Sequence, residues 1–252
     1  MVNSIHFTTT KVDVYSGNEH LERATGFFFR HNNNKYLVTN KHVVECVRTR
    51  MFRENKKADN VRIITHTDIN DCSKHHTITI KVFDERKLWL EHPSIEENGC
   101  DVVLIPLNEN TLLGDNAVKY YPLSSPKITF VGQELVNDFP LNEFGNLAVL
   151  GYPLGFYDKF NNLPISRRVT IASPYKVKFN NKPYFLVDGN LQPGMSGSPV
   201  FCTPHTLFKE GNRDEGSKLF GVYSAHKYAG TQPLNLHVIW YADLLVEIAN
   251  QV

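Results

Sequence analysis

The chain has 252 residues, of which 41% are hydrophobic and 21% are charged, and its formal net charge at pH 7 is +1. This composition is that of a soluble globular protein with one large domain or two small ones, and the low charge excludes a general attraction to nucleic acid or anionic membranes. No apolar run approaches the roughly 18 residues that span a bilayer. The N-terminal sequence lacks the features of a secretory signal. We therefore expect a cytoplasmic protein without a nucleic-acid or membrane partner.

Many short β-type runs separated by turn residues dominate the chain. The runs are residues 8–15, 26–30, 36–39, 61–66, 77–83, 101–107, 147–152, 167–173, 184–188, 199–203, 219–225 and 236–241. A helical spacing of apolar residues appears only at 242–250, where it predicts a C-terminal helix. Strands without alternating helices favour an all-β sandwich or a pair of barrels over a parallel α/β sheet.

Residues 108–128 contain no strong strand, so one half of the chain is expected to pass to the other there. We place the halves at residues 1–112 and 113–252. The segments 53–60, 69–76 and 208–218 are polar and predict exposed loops.

The four cysteines are widely scattered and form no CxxC pair, which predicts free thiols and neither a zinc site nor a redox motif. They are Cys46, Cys72, Cys100 and Cys202.

The run QPGMSGSPV, residues 192–200, places Ser196 among two glycines and two prolines, with strand-like segments on both sides. Gly194 permits a tight turn in which the N–H groups of Gly194 and Ser196 converge on an oxyanion. A simple Gly/Pro turn between two strands also explains these residues. The run lacks the second glycine of a GxSxG nucleophile elbow, and no helix pattern follows, which argues against an α/β-hydrolase. The lack of an elbow also disfavours an esterase that uses the same catalytic residues.

A serine hydroxyl is a weak nucleophile unless a base takes its proton, so a catalytic Ser196 needs a histidine and a carboxylate. His42 follows the apolar strand at 36–40, where an imidazole can point across a cleft. Asp101 opens the apolar run VVLIPL, where a partly desolvated carboxylate needs donors or a cationic partner. Either residue alone also fits an ordinary strand end.

The segments TNKHVV, DVVLIPL and GMSGSPV, in the order His, Asp, Ser, resemble the trypsin-like (chymotrypsin-fold) serine peptidases. Within that family they look most like bacterial members, including glutamyl endopeptidases and high-temperature-requirement proteases. WLEHP, GYPLG and LFGVYSA are also similar to family segments, and the resemblance covers nearly the whole chain. It implies an all-β fold of two six-stranded antiparallel β-barrels, with the site between them and the C-terminal helix on the outside.

The resemblance also implies roles for the three residues. Ser196 would attack a peptide carbonyl, His42 would accept its proton, and Asp101 would hold the ring tautomer. The N–H groups of Gly194 and Ser196 would form the oxyanion hole. The implied function is a serine endopeptidase that acts on protein or peptide substrates, with no metal and no organic cofactor.

Five further residues are implied in substrate binding. Residues 223–226 (Tyr223, Ser224, Ala225 and His226) resemble the strand that pairs with an extended substrate, and Asn190 falls at the base of the primary pocket. An uncharged amide cannot offset a buried cation, so we expect small or medium uncharged side chains before the cut. An inward His226 or Lys227 would instead favour an acidic residue.

Met195 bears on how activity would be controlled. It stands where many relatives carry Asp or Asn, so a cleaved N-terminal ammonium would have no buried partner, and activation by that route is not expected. The second class of function is a peptide-binding module on the same scaffold, with catalysis lost or restrained. A regulatory protein partner, an oligomer or a blocked oxyanion loop could each restrain it.

Overall fold

The computed structural model describes residues 4–45, 47–48, 55–114, 119–124, 145–202 and 218–252. Its strands are β1 (Thr9–Ser16), β2 (Glu19–His31), β3 (Asn34–Asn40), β4 (Val47–Arg48), β5 (Asn55–Lys56), β6 (Asn60–His66), β7 (His75–Lys81), β8 (Phe83–Asp84), β9 (Arg86–Lys87), β10 (Leu90–Glu91), β11 (Val102–Pro106), β12 (Leu112–Leu113), β13 (Leu123–Ser124), β14 (Asn146–Gly151), β15 (Ile165–Ile171), β16 (Tyr184–Asp188), β17 (Pro199–Cys202), β18 (Lys218–Ala229) and β19 (Gln232–Tyr241). The α-helices are α1 (Lys41–Val44), α2 (Ile95–Asn98) and α3 (Leu244–Ala249), and single 3₁₀ turns lie at Ser4–Thr8, Pro153–Gly155 and Phe179–Asn181.

The first half of the chain forms a curled sheet in the order β10-β11-β3-β2-β1-β6-β7-β12, with β13 added in parallel to β2. Its two edge strands, β10 and β12, have two residues each. They do not pair with each other in the described part of the chain, and the sheet curls into a half-barrel. Strands β4 and β5, and β8 and β9, form two separate ribbons.

The second half forms a closed antiparallel barrel in the order β14-β15-β16-β19-β18-β17. Helix α3 follows β19 and packs its apolar side chains against the side of the molecule where β10 and β11 lie. The predicted all-β fold of chymotrypsin type with a C-terminal helix is therefore confirmed.

In two strands of the first sheet the apolar residues follow one another without alternating polar residues, because both faces of these strands are buried. In β2, Phe28 points into the core of the first sheet, while Phe27 and Phe29 point into a core shared with the barrel and α3. The run at 102–105 divides in the same way between the two cores. A third core fills the barrel. The shared core joins the two halves and fixes the cleft between them.

The twelve predicted β-type runs all lie in or overlap strands of the structure. The predicted division at residues 112 and 113 stays a prediction, and both β12 and β13 pair within the first sheet. The predicted loop at 208–218 lies outside the described residues except for Lys218, which begins β18. Within the predicted loop at 53–60, residues 55 and 56 form β5 and Asn60 begins β6, and the predicted loop at 69–76 ends in the first two residues of β7.

Cys72 and Cys100 are free thiols, as the scattered spacing predicted, and Cys46 lies outside the described residues. Among the helices of the described ranges, none has the length and apolar character needed to cross a bilayer.

Candidate active site

Strands β3 and β11 bring His42 and Asp101 together. The strands are antiparallel and Val102 pairs with Asn40, so the residue before β11 lies beside the residues that follow β3. Helix α1 begins directly after β3. Its valines at 43 and 44 are buried in the core of the first sheet, while the His42 side chain keeps 44% of its surface exposed. Local packing therefore leaves the imidazole outside the core, next to the carboxylate.

The Asp101 carboxylate accepts three hydrogen bonds. Oδ2 lies 2.6 Å from His42 Nδ1 and accepts from the Ser224 hydroxyl at 2.5 Å. Oδ1 accepts from the backbone N–H of His42 at 3.0 Å. The Asn40 side chain donates to the Asp101 carbonyl at 2.7 Å. Because a neutral imidazole carries one proton, donation from Nδ1 to the carboxylate leaves Nε2 as the acceptor that a general base needs.

The electrostatics of this pair favour a charged carboxylate and a basic imidazole. Burial raises the pKa of Asp101, but the hydrogen bonds from His42 and Ser224 and the charge of His42 outweigh burial, so the pKa lies below its ordinary value. Burial lowers the pKa of His42, but the hydrogen bond and charge of Asp101, together with the charge of Glu22, raise it above its ordinary value. Burial also raises the pKa of Glu22 itself.

Ser196 lies in the turn between β16 and β17, half-buried and held at its backbone by both halves of the molecule. Its carbonyl accepts from the N–H of Thr25 at 2.9 Å, and the N–H of the next residue, Gly197, donates to the Tyr223 carbonyl at 2.9 Å. The Ser196 hydroxyl donates to the Ser224 carbonyl at 3.2 Å. Ser224 therefore lies between the two parts of the site: its hydroxyl donates to Asp101, the partner of His42, and its backbone carbonyl accepts from Ser196.

Gly194 is required by both its backbone angle and its surroundings. Its φ is +91°, in the region that favours glycine. A Cβ at this position would lie 2.6 Å from the Tyr152 carbonyl oxygen, which is closer than side chains approach backbone atoms. The sequence signal for a tight turn at this glycine therefore has a physical basis.

The two peptide groups that flank Gly194 are each anchored through a carbonyl. The Pro193 carbonyl accepts from the N–H of Leu154 at 2.7 Å, and the Gly194 carbonyl accepts from the Thr25 hydroxyl at 2.8 Å. In a trans peptide the C=O and N–H point in opposite directions, so the N–H of Gly194 points away from Leu154. Within the described ranges, neither this N–H nor that of Ser196 has an intramolecular acceptor, so both are available to an incoming oxyanion.

Met195 has no solvent exposure and packs in the core of the barrel, in the same apolar cluster as Leu191 and Tyr223. The burial gives Met195 a packing role beneath the turn.

The residues predicted to bind substrate lie along β18 and at the start of the Ser196 turn. Tyr223 and Ser224 are buried, Ala225 is exposed, and His226 is half-buried. The pairing of β18 with β19 shifts register between Tyr223 and His226, so the two residues between them are outside the regular ladder. Asn190 is exposed in the loop that follows β16. The substrate-binding roles of these residues stay predictions.

Sequence reasoning missed His237, which lies against the predicted pocket. It is 1% exposed, its Nε2 lies 2.7 Å from the Gly189 carbonyl, and its ring centroid is 4.7 Å from that of His226. Burial lowers the pKa of both imidazoles. Alternation along β19 places His237 on the same face as Ile239 and Tyr241, inside the barrel. The sequence signal that could have identified His237 is a polar residue at a strand position whose side chain faces the interior.

In a comparison with known protein families, residues 24–207 match the trypsin-like peptidase domain. This range contains His42, Asp101 and Ser196. A comparison with curated protein sequences gives no significant match.

Several solved structures share the fold. A thermostable serine protease, AL20, from an extremophilic microorganism aligns with a TM-score of 0.55 at 12% identity, over 99% of this chain and 98% of that one. The protease Anisep from Arthrobacter nicotinovorans aligns with a TM-score of 0.53 at 14% identity, over 97% and 94% of the two chains. A serine endoprotease from Yersinia pestis aligns with a TM-score of 0.55 at 11% identity, over 98% of this chain and 62% of that one.

Proposed function

Because the chain belongs to the trypsin-like peptidase family, a family of serine endopeptidases, we propose that it hydrolyses peptide bonds with His42, Asp101 and Ser196 as catalytic residues. The observation that carries the proposal is the hydrogen-bonded pair of His42 and Asp101, joined by Ser224 to Ser196, beside two backbone N–H groups that have no intramolecular acceptor among the described residues. Nucleophile, base, orienting carboxylate and oxyanion donors are the parts that acyl transfer needs.

In the proposed reaction, a rotation about the Cα–Cβ bond of Ser196 first turns its hydroxyl from the Ser224 carbonyl to the imidazole. Nε2 of His42 then takes the Ser196 proton. Ser196 Oγ then bonds to the substrate carbonyl carbon, and the oxyanion accepts from the N–H groups of Gly194 and Ser196. The imidazolium, stabilised by Asp101, donates its proton to the leaving amine. Water hydrolyses the acyl-enzyme by the same steps, with His42 again as base.

A peptide-binding module in which catalysis is restrained is the second candidate. One observation favours it: the Ser196 hydroxyl donates to the Ser224 carbonyl and not to His42. Catalytic hydrogen bonds often form only when substrate is bound, so this arrangement also suits a resting enzyme.

Reaction with a fluorophosphonate probe tests the proposal and separates the two candidates. The probe phosphonylates a serine only when a base and an oxyanion hole are assembled around it. We expect a single label, located at Ser196 by peptide mass analysis. Folded protein that takes no label would favour the binding module.

The pH dependence of kcat/KM should report the raised pKa of His42. Only the neutral imidazole is a base, so activity is lost as pH falls through this pKa. The acid limb of the pH profile therefore lies at a higher pH than an unperturbed histidine would give. Glu22→Gln removes a charge that raises this pKa, so the acid limb should move to lower pH. Glu109→Gln removes an exposed carboxylate that does not act on His42, and it should leave the limb unchanged. A limb that stays in place in Glu22→Gln would show that Glu22 does not act on the base.

The residue before the cut is expected to be small or medium and uncharged. Burial lowers the pKa of His226 and His237, so both rings are neutral near pH 7 and above, and Lys227 Nζ donates to the Tyr184 hydroxyl at 3.1 Å. With the uncharged Asn190 at its base, the predicted pocket then offers no charge from Asn190, His226 or His237 to a substrate side chain. Cleavage-site profiling of a denatured proteome near neutral pH, with Ser196→Ala as control, measures the preference. A dominant Arg, Lys, Phe or Tyr would contradict it, and a dominant Asp or Glu would point to an inward His226 or Lys227.

A further inference from the structure

Thr25 lies in β2, in the half of the molecule opposite the Ser196 turn, and has no solvent exposure. The structure assigns it a role as the positioning residue that sets the orientation of the oxyanion hole from the first sheet. This assignment rests on the proposed function, since it concerns the donors that would hold the oxyanion.

The Thr25 side chain makes two hydrogen bonds, as the acceptor in one and as the donor in the other. Its Oγ1 accepts from the N–H of Tyr152 at 3.1 Å and donates to the carbonyl of Gly194 at 2.8 Å. Its backbone N–H donates to the carbonyl of Ser196 at 2.9 Å. One residue of the first sheet therefore holds two carbonyls of the nucleophile turn and an N–H of the barrel.

The hydroxyl controls the direction of the Gly194 N–H from both sides. On one side it holds the Gly194 carbonyl directly. On the other side it holds the N–H of Tyr152, at the start of the short turn whose Leu154 N–H fixes the Pro193 carbonyl. Glycine has a wide range of accessible backbone angles. Without these anchors the peptide groups around Gly194 are free to rotate, and the oxyanion donor is no longer preorganised.

Thr25 is also tied to the strand that leads to His42. The Thr39 hydroxyl donates to the Thr25 carbonyl at 2.9 Å, and Thr39 lies three residues before His42. The turn presses closely on both threonines: a Cβ at Gly197 would meet the Thr25 carbonyl oxygen and the Thr39 side chain. The base and the nucleophile are thus positioned against the same residue.

The role needs a side chain that both donates and accepts in a buried strand position. A valine has the same shape as threonine but can do neither, and it would leave the Gly194 carbonyl and the Tyr152 N–H without their partner. A serine keeps the hydroxyl. The pair Thr25→Val and Thr25→Ser therefore separates the hydrogen bonds from the packing of the side chain.

Thr111→Val is the matched control for the loss of a buried threonine hydroxyl. Thr111 is 3% exposed, and its hydroxyl donates to the Pro106 carbonyl at 2.5 Å and accepts from the N–H of Asn108 at 3.2 Å. It lies beyond the end of β11 that is opposite Asp101. A general loss of stability should affect this variant and Thr25→Val alike.

Steady-state kinetics and inhibition by a peptide boronic acid, which forms a tetrahedral adduct with the serine, test the assignment. Removal of an oxyanion donor lowers kcat by roughly 10²–10³, and for its misalignment in Thr25→Val we expect a loss of about 10- to 100-fold in kcat with KM little changed. Boronate affinity should fall with kcat. Thr25→Ser and Thr111→Val should stay close to the parent protein. A kcat that is unchanged in Thr25→Val, or lost equally in Thr111→Val, would overturn the assignment.

A second measurement does not depend on turnover. In the Ser196→Ala background, Thr25→Val should shift and broaden the backbone amide resonances of Gly194 and Met195, whereas Thr111→Val should leave them in place. Unchanged resonances would refute the positioning role even if the protein proved inactive. Absence of fluorophosphonate labelling in the parent protein, with these resonances perturbed as expected, would instead refute the proposed function alone.

Discussion

Replacing Ser196 by alanine is expected to reduce the turnover of peptide substrates about 10⁶-fold, the loss found when the nucleophile of a comparable triad is removed. The oxygen that would bond to the substrate carbonyl is gone, and the backbone N–H groups and the binding surface supply only the residual rate. The measurement is kcat on a fluorogenic peptide library, with active-site titration of the parent protein to fix the enzyme concentration.

The fold should survive this change, because the lost hydroxyl makes a single hydrogen bond in the described structure, to the Ser224 carbonyl. Ser198 supplies a matched control two residues further along. Its side chain has no exposure and no hydrogen-bond partner among the described residues, so Ser198→Ala should keep activity within a few-fold of the parent. Full activity in a folded Ser196→Ala protein, or its complete loss in Ser198→Ala, would show that Ser196 is not the nucleophile.

Much of the fold was predictable because its strands are marked by local signals. The consecutive phenylalanines of β2 and the run at 102–105 are apolar on both faces, as expected for strands between two cores. The neighbourhood of His42 and Asp101 was also accessible, since each lies at the end of an apolar run and the two runs pair in the sheet. Only the order of the motifs, matched to a family, connected this pair with Ser196.

The remaining features depend on how the two halves pack, and no local pattern reports that. Thr25 sits in an ordinary strand sequence, and its contacts with the Ser196 turn cross between residues about 170 positions apart. Glu22 acts on His42 only because β2 passes beside the site. Among the described residues, the edge strands of the first sheet likewise have two residues each, which is too short to give a periodic signal.

Asp101→Asn is expected to lower kcat on the order of 10⁴-fold with little change in KM, as for the equivalent change in a comparable triad. The reason lies in the three donors that surround the carboxylate. Oδ1 accepts from the His42 backbone N–H, and Oδ2 accepts from His42 Nδ1 and from the Ser224 hydroxyl. An amide has one accepting oxygen and one donating nitrogen, so it cannot serve all three.

The amide is expected to turn its oxygen to the His42 backbone N–H, because the opposite orientation sets its NH₂ against a fixed donor. Its NH₂ then donates to Nδ1 of His42, the proton moves to Nε2, and the ring can no longer accept the proton of Ser196. Nitrogen-15 NMR of the labelled imidazole should show this change of tautomer. Asp59→Asn, at a carboxylate directly before β6 that accepts from the N–H of Gly17 at 2.7 Å, is the control and should retain activity. An Asp101→Asn protein with its proton still on Nδ1, or with more than a tenth of the parent kcat, would show that Asp101 does not set the tautomer.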